Sequence, residues 1–481
     1  MRIGYGRAVG AAVAVSIALR LRFLFAPLLA DEAGALSAAR DWAGGGKLYQ
    51  NVWIDRPQGF IALFRVWDAL PHTDASSTRI LAVLLGAVAV VAVASVGRSL
   101  FTAGIGAMAA ILTAAVTASP LLEGFASNGE LLAAGFALPA LAVVAAVIAQ
   151  RCATWWMLVA GVLFGCALAV KQSTFDVLVA VLAWLALAWL LRWQQRRTVV
   201  VSTLLLGVGV SVVLAAVAWH GSTLGWHDYW YAMAGFRLGS RSGLSNPELD
   251  RLGRSLLFVS VAMAPAVALM LHARSLLAFR SLLRRPHAML IVLWASVSLL
   301  AFVTGGSFHR HYFIILAYPL ALLAAVAGDR SRQNRRYAGA AAAIALVAAV
   351  PFIANPRLIL GDVSDTNREV AAWIHEQETR RGPLTVYAYC ADAALYTELG
   401  QAPPFRYLWE DHVRLAEGGQ QGLFDLLTGP KAPDFVIRLQ PLEQCDESGM
   451  LATAIEQHYR SEGLIGDAEV LRRSDLPATA G

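Results

Sequence analysis

Apolar residues along this chain gather into long runs rather than alternating with polar ones. A helix needs about 20 such residues to cross the ~30 Å hydrocarbon core of a bilayer. Runs of that kind recur along the first three quarters of the chain, near residues 8–29, 77–97, 102–120, 131–150, 154–170, 174–192, 199–219, 255–272, 288–304, 311–328 and 337–353. They predict about eleven membrane-spanning helices. The two runs flanking Lys171 read either as separate spans or as one re-entrant pair. Arg20 and Arg22 interrupt the first run and many runs follow it, so it reads as a retained span rather than a cleaved signal. No internal repeat stands out, and the Ala/Val/Leu monotony of the runs is a lipid-facing composition.

The polar connections predict an orientation. Arg98, Arg151, the group Arg192, Arg196 and Arg197, the group Arg274, Arg280, Arg284 and Arg285, and the group Arg330, Arg332, Arg335 and Arg336 fall on alternate loops, on the side of Arg2 and Arg7. Basic residues accumulate on the cytoplasmic side. The N-terminus is therefore expected inside. The loops with Asp31, with residues 123–130, after Trp219 and with residues 309–311 are expected outside, and an odd number of spans places the C-terminal residues there too. From about Asn355 the pattern becomes that of a small water-facing domain. Residues 367–378 read as helix and residues 384–389 and 434–439 as strands, and this alternation predicts a partly parallel sheet. The expected organisation is an all-α polytopic membrane domain over 1–354 and a small α/β domain over 355–481.

Composition sharpens this picture. The 481 residues are 57% hydrophobic and 15% charged, against ~25% charged in an ordinary globular chain, which excludes a soluble multidomain enzyme. The net charge of +6 comes from short loops between spans, so no nucleic-acid partner is expected. The four Cys show no metal spacing. Cys152 and Cys166 fall in or near spans and read as core residues. Cys390 and Cys445 both lie in the domain expected outside, where a disulfide is permitted, but their spacing leaves the pairing open.

Candidate chemistry concentrates in residues 29–70, the first sizeable polar interruption. Asp31 and Glu32 stand where an apolar run ends, although desolvating a carboxylate is costly. Asp31 reads either as a general base or as a helix-start acid favoured by the macrodipole. In a following helix Glu32 shares a face with Leu36 and Arg40. Asp55-Arg56-Pro57 reads either as a loop ion pair before a Pro-initiated helix or as a site where Arg56 forks onto a phosphate. Glu123, Asn128 and Glu130 form either a polar turn or a source of hydrogen bonds and a metal-binding carboxylate. Lys171 interrupts an apolar stretch, which makes it a functional candidate suited to a phosphate, or else an interfacial lysine. Arg310, His311 and Tyr312, preceded by His309, stand at the mouth of a span and suit a phosphate leaving group or an interfacial anchor. Two His at i and i+2 share no helical face, so they make a poor zinc pair. Residues 220–254 carry Trp226, Tyr229, Trp230, Tyr231, Arg237 and Arg241, a sugar-stacking set or an interfacial belt. Arg20 and Arg22 either snorkel or face a phosphate.

Taken together, DEA after a first span, then GGGKLY and DRP, ASNGE before the fourth span, and RHYFIILAYPLALLAA resemble bacterial membrane glycosyltransferases of the GT-C superfamily. These are the relatives of protein O-mannosyltransferases and of the lipid A aminoarabinose transferase. The ordered motifs cover residues 8 to 328. The resemblance implies inverting transfer of a sugar from a polyprenyl-phosphate donor to an envelope glycan, lipid or protein on the outer face of the cell membrane. It implies Asp31 as base, with Arg56, Lys171 and Arg310 or His311 near the donor phosphate. It implies no certain cofactor, although some members use a divalent metal, and no metal ligands are assigned here. The family often carries a second Pro where this chain has Gln58. Two other classes compete. A flippase of lipid-linked saccharides is expected to carry mid-membrane charges and paired repeats, and a polysaccharide polymerase or ligase a large late outer loop.

Overall fold

The structure is a computed structural model and describes residues 4–70, 75–239, 246–272, 284–306, 308–329, 332–361, 363–389, 393–442, 445–446 and 448–477. The chain forms two compact units. The first comprises Met1–Phe25, Arg79–Trp219 and Ser242–Ile359, and the second Ala26–Thr78, His220–Arg241 and Leu360–Gly481.

The first unit is helical. Its helices are Tyr5–Leu21, Arg79–Leu100, Ala103–Thr117, Gly129–Ile148, Trp156–Val170, Phe175–Leu190, Arg196–Leu224 as far as Trp219, Asn246–His272, Pro286–Gly305, Ile314–Gly328 and Arg332–Ala354. Each lies on one of the predicted apolar runs. Among the described residues eight helices are long and apolar enough to cross a membrane. Ala103–Thr117 and Trp156–Val170 are apolar but shorter, and the first helix has 17 residues. The pair around Lys171 consists of two distinct helices joined by a 3-10 turn, Gln172–Thr174.

The first apolar run was expected to stay helical to residue 29, but its helix stops at Leu21. Pro27 disfavours helical backbone in the residue before it. Arg20 neither snorkels nor meets a phosphate. It is 1% exposed and donates to Ser16 O (2.9 Å), Ser16 Oγ (2.5 Å), Thr117 O (3.1 Å) and Gly124 O (2.7 Å). Arg79, also buried, donates to Phe23 O at 2.7 Å and lies over the Phe125 ring, which stacks on Phe23 at 4.2 Å. Two buried arginines thus fasten the end of the first helix to the loop that carries Glu123.

Helix crossings are tight where small residues permit them, as helix association in lipid favours. A Cβ on Gly106 would stand 2.4 Å from Ala94 O, and one on Gly209 2.4 Å from Leu158 O. Polar links join Phe175–Leu190 to Pro286–Gly305: Asp176 Oδ2 accepts from Trp294 Nε1 at 3.2 Å and from Ser298 Oγ at 2.5 Å, and Trp184 Nε1 donates to Pro286 O at 2.7 Å.

The second unit draws on three stretches of the chain. Ala30–Ala43 and Gln58–Asp68 are helices of the early loop. The segment after Trp219 is helical over Trp226–Trp230 and Phe236–Gly239, with a π-turn at Tyr231–Gly235 between them. Arg241 lies outside the described residues. The C-terminal segment supplies helix Val363–Arg381 and a four-stranded sheet of β1 (Val386–Tyr389), β2 (Phe435–Arg438), β3 (Tyr459–Ile465) and β4 (Ala468–Arg473), in the order β1-β2-β4-β3. β1 and β2 are the two predicted strands, and they pair in parallel with Val386 opposite Phe435. β3 and β4 form an antiparallel hairpin, irregular between Ser461 and Gly463. Cys445 is disulfide-bonded and Cys152 and Cys166 are free; Cys390 lies outside the described residues.

The sequence division at 354/355 falls near the start of the last segment of the second unit, but its other two segments come from within 1–354. Trp53 N donates to Arg406 O at 2.8 Å, Trp53 forms a parallel bridge with Tyr407, and Arg406 donates to Tyr49 O at 2.7 Å. A Cβ on Gly34 would overlap the Trp409 ring, so the early helix lies directly against the 405–412 segment.

Candidate functional site

The candidate residues fall into two clusters of opposed charges, each within one unit. In the second unit Asp31 occupies the first turn of Ala30–Ala43, where helix amides favour an acid. Its side chain is 43% exposed, and Arg56 stands 3.8 Å away. Glu32 points inward. It is 1% exposed and accepts from Leu29 N at 3.0 Å, closing the start of the helix.

Arg56 is held from two sides. Its terminal nitrogen donates to Asp55 Oδ1 at 2.6 Å, and its carbonyl accepts from Tyr49 OH at 2.9 Å. Asp55 is buried and also accepts from Arg237 Nε, while His412 Nε2 stands 3.4 Å from its Oδ1. Burial pushes the Asp55 carboxyl up, but Arg56, Arg237 and His412 together outweigh it and hold the group far below the usual carboxylate range. Arg237, from the aromatic- and arginine-rich segment after Trp219, pairs with Asp55. The π-turn just before it shifts the register of that helix, a feature frequent at functional sites.

In the first unit the expected residues from three loops converge. Glu123, in left-handed backbone (φ 54°), accepts from Arg310 at 2.9 Å and from His311 Nδ1 at 2.7 Å. Glu130 forms an ion pair with Lys171, and His311 Nε2 lies 4.0 Å from its second carboxylate oxygen. Lys171 sits 4.7 Å from the centre of the Tyr312 ring, and Arg310 lies over Phe258 at 5.3 Å. Asn128 caps Gly129–Ile148: its Oδ1 accepts from Leu131 N at 2.9 Å, and its Nδ2 donates to Glu123 O at 3.3 Å. Basic and acidic side chains therefore alternate along one row, Arg310, Glu123, His311, Glu130 and Lys171, in which every neighbouring pair lies within 4.0 Å. Burial pushes the Glu123 carboxyl up. The hydrogen bond and charge of His311, then Arg310 and His309, overcome this and bring it from 4.5 to about 2.

The sequence reading missed His412 as a site residue. It lies in a short helix, Glu410–Leu415, of the C-terminal segment. Nothing in WEDHVRL marks it, since it reaches Asp55 through contacts distant in sequence, such as Trp53 with Tyr407 and Arg406 with Tyr49. Among the described residues no three His, Cys, Asp or Glu side chains converge to hold a metal ion. The carboxylates Asp55, Glu123 and Glu130 are each engaged by cations, a donor set suited to meeting an anion.

Comparison with known proteins places this architecture. Its fold matches that of ArnT from Cupriavidus metallidurans bound to undecaprenyl phosphate with a TM-score of 0.67, at 15% identity and over 98% of each chain. The chain has the GT-C fold. The oligosaccharyltransferase of Archaeoglobus fulgidus shares it. Its complex with an inhibitory peptide and a dolichol-phosphate matches at TM-score 0.54 and 13% identity, over 98% of this chain and 75% of that one. Its complex with Zn and sulfate matches at TM-score 0.54 and 15% identity, over 98% and 74%. The sequence model of the dolichyl-phosphate-mannose-protein mannosyltransferase family matches residues 55–220 of this chain. No curated protein matches it.

Proposed function

We propose that this GT-C protein is an integral membrane glycosyltransferase that moves a sugar from a polyprenyl-phosphate donor to an acceptor of the cell envelope, with inversion and with Asp31 as base. Asp31 takes the proton of the acceptor hydroxyl. The acceptor oxygen bonds to the anomeric carbon from the face opposite the phosphate. The bond from that carbon to the phosphate oxygen breaks, and the electron pair leaves with the polyprenyl phosphate. The donor phosphate is assigned to one of two sets of donors, Arg56 in the second unit or Lys171, Arg310 and His311 in the first.

One observation carries the choice of base. The Asp31 side chain is 43% exposed, while those of Asp55, Glu123 and Glu130 are 2%, 16% and 3% exposed and lie under cations. A base must reach its proton within about 3 Å, and among these acids the exposed one is open to a substrate. The fold shared with proteins solved with undecaprenyl phosphate and dolichol-phosphate supports the donor class. The arginine-rich alternate loops support a cytoplasmic N-terminus, and the disulfide at Cys445 supports an oxidising, extracytoplasmic setting for the second unit. No side chain is assigned to a divalent ion.

The test is transfer by purified protein in liposomes supplied with polyprenyl-phosphate sugars, with and without EDTA, comparing wild type with Asp31→Asn. Release of polyprenyl phosphate by wild type, lost in a folded Asp31→Asn, is expected. Transfer that survives the substitution moves the base elsewhere. Labelled lipid that crosses the bilayer without being consumed replaces the transferase with a transporter. EDTA reads metal dependence directly.

A further inference from the structure

Resting on the reading of Asp31 as the base, we propose that His412, a residue of the C-terminal segment, is a positioning residue of the transfer site: it fixes the Asp55 carboxylate that turns Arg56 toward Asp31.

The geometry is a short relay within one unit. Asp55 Oδ1 receives Arg56 at 2.6 Å and faces His412 Nε2 at 3.4 Å, while Oδ2 takes Arg237. The second terminal nitrogen of Arg56 is the one 3.8 Å from Asp31. The plane of the Asp55 carboxylate therefore sets where Arg56 points. The two other holders of that carboxylate differ in stiffness. The Arg237 side chain is 43% exposed and solvent-screened, whereas that of His412 is 5% exposed. His412 is also boxed edge-on by Trp53 at 4.7 Å, Phe236 at 5.0 Å and Trp409 at 5.0 Å. Such a ring has one available orientation. Its Nε2 faces a carboxylate oxygen and so carries the hydrogen, and its Nδ1, buried, has no hydrogen-bond partner. A buried imidazole with one nitrogen unsatisfied costs free energy, and packing alone gives no reason to keep a polar ring among three aromatic ones. Holding Asp55 gives that reason, since outer-shell groups commonly orient the groups that act.

The experiment compares His412→Phe with His412→Gln in the full chain, reconstituted in liposomes. Phe fills the aromatic box but offers Asp55 nothing. Gln offers an N–H but fits the box poorly. If His412 positions Asp55, kcat falls about 10- to 100-fold in His412→Phe and stays within about fivefold of wild type in His412→Gln. If His412 only fills space, Phe is active and Gln is impaired, which overturns the proposal, as do two variants with wild-type kcat. An apolar ring beside a buried carboxylate risks misfolding, so His412→Phe is also made on an Asp55→Asn background. There the positioning account expects less than a twofold further loss. The same fold-change from His412→Phe with either Asp or Asn at position 55 overturns it. A wild type that transfers no sugar overturns the transferase reading together with this one. Active wild type with unaffected variants overturns this one alone.

Discussion

Glu123 should make the protein acid-sensitive by an amount set by its two cationic neighbours. A carboxyl held at about 2 against an ordinary 4.5 has its charged form favoured by about 3 kcal/mol. Because the folded value is depressed, that stabilisation is fully present above pH 4.5 and is lost as pH falls through 4.5 toward 2. At pH 3 the same two values leave about 1.4 kcal/mol, so roughly 2 kcal/mol disappears between pH 6 and pH 3. The side chain is 16% exposed, so solvent screening removes little of this. The assay is SDS-titration unfolding of the detergent-solubilised protein at pH 6, 4.5 and 3, in wild type and Glu123→Gln. Other carboxylates titrate in both proteins, so the difference between them is the quantity read. The variant should be less stable at pH 6 and should lose about 2 kcal/mol less than wild type on acidification. Parallel acid limbs would falsify the claim that Arg310 and His311 hold this carboxyl charged.

Other substitutions test the framework around the site. Arg20→Met should cost about 3 kcal/mol, because charge-assisted hydrogen bonds contribute ~1.5–3 kcal/mol each and the carbonyls of Thr117 and Gly124 are left buried. It should also raise the labelling rate of a cysteine placed at Ser127, and an unchanged rate would show that the loop holds without it. Gly106→Val should destabilise by about 1–3 kcal/mol, since its Cβ would stand 2.4 Å from Ala94 O; wild-type unfolding would refute the close crossing. Lys171→Met leaves the Glu130 charge buried and should cost about 3–5 kcal/mol, whereas Lys171→Met/Glu130→Leu should cost less than either single change. Additive costs in that cycle would mean the two groups are not coupled.

The membrane helices were legible because their signal is local: an apolar run of sufficient length writes the helix directly into the sequence. The parallel pair β1 and β2 was legible for the same reason, each strand being a short buried run. The end of the first helix was not, because Arg20 looked like a charge at a membrane surface and its carbonyl partners at 117 and 124 are about a hundred residues away. The hairpin β3–β4 was hidden by its polarity: β3 is largely exposed, and Arg460, Glu462, Glu469 and Arg472 break the apolar signal. Within the candidate sites the residue types were readable and their partners were not. Lys171 stood out as a charge in an apolar stretch and Glu130 as part of a polar turn with Glu123 and Asn128, but nothing local says that they meet. Arg237 is 182 positions from Asp55, and His412 comes still later in the chain.

On the proposed reading that the first cluster meets the donor phosphate, its charge balance sets what its cations do during transfer. Arg310 and Lys171 are matched by Glu123 and Glu130, so these four side chains carry no net charge, and the cations stay in place without an excess charge to desolvate. A polyprenyl-phosphate sugar brings a diester with one negative charge, and the leaving monoester carries up to two. The charge on the phosphate therefore grows as the bond to the sugar breaks, and fixed cations favour the transition state over the bound donor. Removing one such cation should lower kcat more than it raises KM for the donor. Lys171→Met/Glu130→Leu is the suitable variant, because it removes a matched pair of charges and costs less in folding than Lys171→Met alone. We expect kcat to fall by about 10²–10³ with donor KM changed severalfold at most, measured by initial rates of polyprenyl phosphate release in liposomes. If KM rises by that factor while kcat holds, Lys171 binds the ground-state donor and contributes nothing to the developing charge.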